Sequence, residues 1–223
     1  MTATSAPGAP TPSGSWTVRT RDRITHIVPP GQALPDRQPA YMSSWIYVFG
    51  ILTVAALLVV VASGVLLAIG GVAWWHVSRT GHFVNSLHLW SVELFFAFMV
   101  IHLWGKFWMA AWRGNRALTW MTVVVAFLGS IGTAFTGYLS QSNFDSQWIS
   151  TQAKDGLNAV GVGAYFNVLN PGQMLMWHIT LLPLILGAIV GLHLVLVRRH
   201  GIVPPIDAEA PEDADLRLEG GAL

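Results

Sequence analysis

Charge is missing from this chain in runs as long as a bilayer is thick. No Asp, Glu, Lys or Arg lies between Arg37 and Arg79, between Arg116 and Asp145, or between Asp155 and Arg198. Between Arg79 and Lys106 the only one is Glu93. About 20 apolar residues in a helix cross the hydrocarbon core, so each gap has room for one spanning helix. The four are expected near 44–70, 84–110, 117–139 and 172–198. A helix satisfies its own backbone in lipid, so the implied fold class is an all-α membrane protein, a four-transmembrane-helix bundle. Of 223 residues 53% are hydrophobic and 10% charged, a balance foreign to soluble domains.

The positive charges orient the bundle. Arg19, Arg21, Arg23, Arg37, Lys106, Arg113, Arg116, Arg198, Arg199 and Arg217 fall in the N-terminal arm, the second connection and the tail, whereas Arg79 and Lys154 alone fall in the other two. Both termini are therefore expected on the cytoplasmic side of the membrane. The second and fourth helices then run the same way.

Those two helices carry the chemistry. His88 and His102 are 14 residues apart on one, and His178 and His193 are 15 apart on the other. Such steps are roughly 21 and 22 Å along a helix and return to within roughly 40° and 60° of the starting direction. Each helix shows two imidazoles on one side, near opposite membrane faces. Histidine is costly in hydrocarbon without a partner. Side by side, the helices form two stacked bis-histidine sites of haem size. Zinc favours four grouped ligands, whereas two axial nitrogens suit a porphyrin. The expected cofactors are thus two haem b groups, bound non-covalently between the second and fourth helices, with the four histidines as iron ligands. The chain has no cysteine, which excludes disulfides, thiolate-held clusters and thioether-linked haem within it.

Other residues carry dual readings. Gly50 and Gly64 repeat the 14-residue interval on the first helix, and Gly137 closes the third. They give either clearance for a cofactor or ordinary small-residue packing. Arg198, Arg199 and Lys106 sit at the cytoplasmic end, as partners of haem propionates or a quinone head group, or as positive-inside anchors. Pro183 should kink the fourth helix. Glu93, inside the second helix, must face a partner, a water cavity or another subunit. Most tryptophans read as interface belts.

Three regions follow. Residues 1–40 form an arm rich in Pro, Ser, Thr and Gly, expected to begin without fixed structure and to hold an interfacial segment over 16–28. Residues 41–203 form the di-haem domain, with a long connection at 140–172, and residues 204–223 an acidic, solvated tail.

These residues resemble cytochrome b6 and the N-terminal half of cytochrome b, from quinol-oxidising Rieske/cytochrome b (bc-type) complexes. The likeness covers roughly 28–205. It rests on both His pairs, Gly50 and Gly64, LHLWS at 87–91, RALTW at 116–120, TGY at 136–138, LP at 182–183 and RRHG at 198–201. The resemblance implies an outer haem on His88 and His178 and an inner one on His102 and His193. It implies quinol oxidised at the outer face and quinone reduced near Arg198. The implied partners are a three-helix subunit carrying the other cytochrome b half, a Rieske iron–sulfur protein and a c-type cytochrome, in a dimeric complex. No nucleic-acid partner is expected.

The chain departs from the family in places. The glycine expected 14 residues before Gly137 is Val123, the arginine expected three before His88 is Asn85, and the basic residue expected after it is Leu89. The Leu-Pro-Trp run expected after Gly137-Tyr138 is LSQSNFDSQW at 139–148. Two further readings therefore stay open: a di-haem anchor linking the quinone pool to another peripheral oxidoreductase, and a haem-free membrane scaffold.

Overall fold

The computed structural model describes residues 16–27, 29 and 40–205. Among them every regular element is helical. Met1–Gln38 and Pro39–Leu223 form separate units. In the first, α1 (Trp16–Ile27) stands where the sequence expects a segment over 16–28, with no buried residue. Apart from Pro29 and Ala40, the rest of the arm falls outside the described residues, as does the tail from residue 206.

The second unit contains α2 (Val48–Gly70), α3 (Val72–Val77), α4 (Arg79–Trp108), α5 (Ala117–Leu139), α6 (Phe144–Ala159), α7 (Pro171–Met176) and α8 (Leu182–His200). A π-turn, Trp177–Leu181, joins α7 to α8 in one span. Among the described residues four helices are long and apolar enough to cross a membrane: Trp45–Gly70, Arg79–Trp108, Gly114–Leu139 and Pro171–His200.

Two boundaries differ from the sequence reading, both because of capping. α4 begins at Arg79 rather than 84, since extended Ser78 accepts the Gly81 N–H through its hydroxyl (2.8 Å). The 140–172 connection contains α6, which Asn143 caps by accepting the Ser146 N–H (2.8 Å). Asp145 in its first turn complements the helix dipole. α6 lacks a long apolar run, so hydropathy gives no sign of it.

The spans pack in two pairs, α2 along α4 and α5 along α8, with little contact between pairs. Ala56, Phe95 and Met99 form the α2–α4 seam, while Leu139, Val168 and Met174 tie the end of α5 to α7. Ser63, Ser91, Thr122 and Ser130 are buried in the seams, the small residues that let membrane helices approach closely. Large apolar side chains point outward, among them Ile51 and Leu184, each 70% exposed. Such surface belongs against lipid or other helices, and the chain is an integral membrane protein.

Candidate functional site

The histidines line the gap between the helix pairs. His88, on α4, and His178, in the π-turn, have ring centroids 6.1 Å apart with planes at 88°. The His88 Nδ1–H donates to the Val60 carbonyl (3.0 Å), with the Ser63 hydroxyl also 3.0 Å away. The His178 Nδ1–H donates to the Thr133 carbonyl (2.8 Å). A carbonyl only accepts, so each ring carries its proton on Nδ1 and keeps the Nε2 lone pair free.

His102 and His193 form the second level. The His193 Nδ1–H points at the Thr119 carbonyl (3.2 Å) and the Thr122 hydroxyl oxygen (3.1 Å). Thr122 donates its own proton to the Thr119 carbonyl (2.7 Å), which leaves that oxygen free to accept. His102 Nδ1 is buried and has no acceptor among the described residues.

One local device recurs. Val60 lies four residues before Gly64, and Thr133 four before Gly137. A helical Cβ leans toward the N-terminus, over the carbonyl of the preceding turn. Without a Cβ that carbonyl stays open, and its second lone pair takes the imidazole. A Cβ on Gly64 would lie 3.1 Å from His88 Cε1, and one on Gly50 2.9 Å from His102 Cε1. One on Gly137 would overlap His178 Cε1 and lie 2.8 Å from its Nδ1. The sequence reading singled out the glycines but missed the carbonyls, Ser63 and Thr122. For the Val60 and Thr133 carbonyls the position four before Gly64 and Gly137 was the available signal.

The unequal histidine spacings are reconciled at His178. In the π-turn the Leu182 N–H bonds to the Trp177 carbonyl, five residues back. Such a turn absorbs about one extra residue, so the 15-residue interval acts as about 14. The turn lies just before Pro183, which stands in the first turn of α8.

Among the described residues none of the basic side chains hydrogen-bonds one of the four rings. Lys106 stacks on Tyr47, with Nζ 3.8 Å from the ring centroid. Arg198 and Arg199 are exposed at the end of α8 and make no hydrogen bond among the described residues. Arg116 donates to the Gly201 carbonyl (2.6 Å), and the Thr119 hydroxyl contacts His200 Nδ1 (2.8 Å). At the opposite end Asn85 pairs with the Gln141 amide (3.4 Å), and His76 Nε2 donates to the Gln141 carbonyl (3.0 Å). An open cleft of about 410 Å³ lies beside α6, lined by Ser142, Ser146, Gln147, Ser150 and Thr151 opposite Leu139, Val168 and Leu169.

Residues 93–218 match the family described as Cytochrome b(N-terminal)/b6/petB. The chain belongs to this cytochrome b family. The matched segment contains His102, Gly137, His178 and His193, while Gly50, Gly64 and His88 precede it. Cytochrome b of Schizosaccharomyces octosporus is 30% identical over 192 residues, covering 76% of this chain and 49% of its own. The menaquinol:cytochrome c reductase cytochrome b subunit of Geobacillus thermodenitrificans is 26% identical over 210 residues, covering 83% and 92%. The chain thus spans about half the length of the cytochrome b proteins it matches first. A solved hyperthermophilic respiratory Complex III chain shares the fold, with TM-score 0.65 at 21% identity, covering 92% of this chain and 61% of that one.

The first cytochrome b site fits the cofactor its family implies. A metal about 2 Å from each of two imidazole nitrogens sets the ring centroids about 6 Å apart, as His88 and His178 stand. Both rings also offer Nε2 for ligation, with each Nδ1–H held by a backbone carbonyl.

Proposed function

We propose that this chain is a di-haem cytochrome b subunit of a bc-type complex, carrying electrons across the membrane between quinol and quinone sites. The observation that carries this reading is the His88–His178 pair, two perpendicular imidazoles 6.1 Å apart with each Nδ1 tied to a carbonyl. His88 and His178 would hold the outer haem b, and His102 and His193 the inner one. Bound there, haem iron supplies reversible one-electron chemistry. The helices fix the ligands at two depths, the glycines admit the rings, and the apolar surround excludes water. Lys106, Arg198 and Arg199 supply positive charge at the cytoplasmic end for propionates or a quinone head group, and Gly50, Gly64 and Gly137 complete the cofactor-binding set. The proposed orientation puts both termini in the cytoplasm. The proposed partners are the three-helix subunit, a Rieske protein and a c-type cytochrome, in a dimeric complex.

One observation favours keeping the peripheral-oxidoreductase anchor as the second reading. Where the family carries an arginine, Asn85 is paired with Gln141, from the altered 139–148 segment. The test is the dithionite-reduced spectrum and pyridine haemochrome of the native detergent-purified complex, with its subunits identified. Two b haems per chain with a Rieske protein support the first reading, and two with a molybdenum or flavin enzyme the second. His193→Ala should lose one haem and block electron flow; a variant that keeps both would overturn the ligand assignment.

A further inference from the structure

We propose that the outward face of α4 centred on Glu93 docks a transmembrane helix of a different polypeptide, one that presents a basic side chain at mid-membrane depth. Glu93 is at the midpoint of the Arg79–Trp108 span, 14 residues from one end and 15 from the other. It is five residues from His88 and nine from His102, or about 140° and 180° around the helix. The carboxylate therefore points away from the histidine gap. It is exposed and has no hydrogen bond or ion pair among the described residues. An ionised group facing lipid at that depth is costly.

A second observation lies on the same stripe. Ser86, Trp90, Glu93, Ala97, Val100 and Trp104 are all exposed at alternating steps of four and three, one continuous helix face. Trp90, 68% exposed, is one turn from Glu93, too deep for an interface belt. Its indole N–H also has no partner among the described residues, and a buried indole N–H ordinarily finds one. An acceptor and a donor thus sit together at a depth where lipid offers neither.

Charge complementarity selects the occupant. The Lys and Arg residues of the described second unit, Arg79, Lys106, Arg113, Arg116, Lys154, Arg198 and Arg199, all lie at span ends or in connections. A second copy, parallel or antiparallel, would bring Glu93 against Glu93 and no cation. A foreign helix with Lys, Arg or His at mid-span meets the carboxylate directly. The inference needs α4 to span the membrane and is independent of what the histidines bind.

The chain has no native cysteine, so Ala97→Cys takes a single benzophenone maleimide in membranes holding the assembled complex. After illumination, peptide mass spectrometry should locate the adduct on another polypeptide's transmembrane segment, within a turn of a mid-span Lys, Arg or His. Glu93→Leu should lower that polypeptide's stoichiometry in the purified complex about tenfold, with the level and melting temperature of this chain unchanged. Leucine at the partner's basic residue should do the same. Adducts only with lipid, or only with another copy of this chain, would overturn the proposal, as would wild-type stoichiometry in Glu93→Leu. Should Glu93→Leu fail to accumulate, the near-isosteric Glu93→Gln decides. A lowered adduct yield supports the charge pairing, and an unchanged yield overturns it.

Discussion

Gly137→Ala tests the idea that the glycines exist to admit imidazoles. A Cβ there would meet three atoms of the His178 ring, overlapping Cε1 and lying 2.8 Å from Nδ1 and 2.9 Å from Nε2. Ordinary contact begins near ~3.5 Å, so the ring must retreat by about 0.7 Å or more. The His178–Thr133 hydrogen bond, now 2.8 Å, then reaches the limit of such bonds. An unmet buried donor costs about 1–3 kcal/mol, and overpacking costs about 1–3 kcal/mol more. Together they weaken cofactor binding at this site by roughly 30-fold to 10⁴-fold. Gly64→Ala is milder: its Cβ lies 3.1 Å from His88 Cε1 and 3.5 Å from Nδ1, a strain relieved by a few tenths of an ångström. Gly132→Ala, on the same helix as Gly137 with nothing within 4 Å of its Cβ, is the control, and gains about 0.5–1 kcal/mol of helix stability. Haem b per polypeptide, read by pyridine haemochrome on each purified variant, should fall steeply for Gly137→Ala, slightly for Gly64→Ala and not for Gly132→Ala. A Gly137→Ala protein that keeps its full complement would refute the reasoning, and equal loss in Gly132→Ala would show that the helix tolerates no change there.

Thr122→Ala removes the hydroxyl beside His193 and leaves only the 3.2 Å contact to Thr119. It should weaken the second site by about 1 kcal/mol, seen as selective haem loss on prolonged detergent exchange; equal retention would mean the hydroxyl carries no weight. Deleting Thr180 should convert the π-turn to plain helix and keep His178 and His193 in register, so both haems are retained. One alanine inserted after Leu94 turns His102 about 100° from His88, and redox-difference spectra should show one haem missing; the opposite ranking of these two variants would remove the register argument.

The four spans were legible because charge is excluded from hydrocarbon, and that rule leaves long gaps in a sequence. The four histidines were legible for the same reason, since each interrupts such a gap at helical spacing. What hydropathy could not supply was α6, whose start depends on the Asn143 cap and whose polar residues carry no membrane signal. Nor did it reveal Ser63, Thr122, or the carbonyls of Val60, Thr119 and Thr133, because their part depends on backbone oxygens that no residue type announces. Lys106 shows the limit from another side. Its charge placed it at a membrane end, but only three-dimensional packing sets it on the Tyr47 ring.

Equal spacing along the helices does not make the two sites equal. At the His88–His178 level both rings have a glycine and an open carbonyl four residues before it. At the other level each ring departs in its own way. Gly50 is only two residues inside α2, and the residue four before it, Ile46, belongs to the 3₁₀ turn Trp45–Tyr47. Ile46 thus stands in a tighter turn than Val60 or Thr133, and His102 Nδ1 has no acceptor among the described residues. Opposite it, Val123 takes the place where the family resemblance calls for glycine, four residues after Thr119. The His193 contact with that carbonyl, at 3.2 Å, is the longest of the three formed. Thr122 compensates with a hydroxyl from the adjoining position. At the second site His193 therefore leans on the Thr122 hydroxyl beside a lengthened carbonyl contact and His102 has no acceptor among the described residues, whereas both rings of the first site are held by carbonyls.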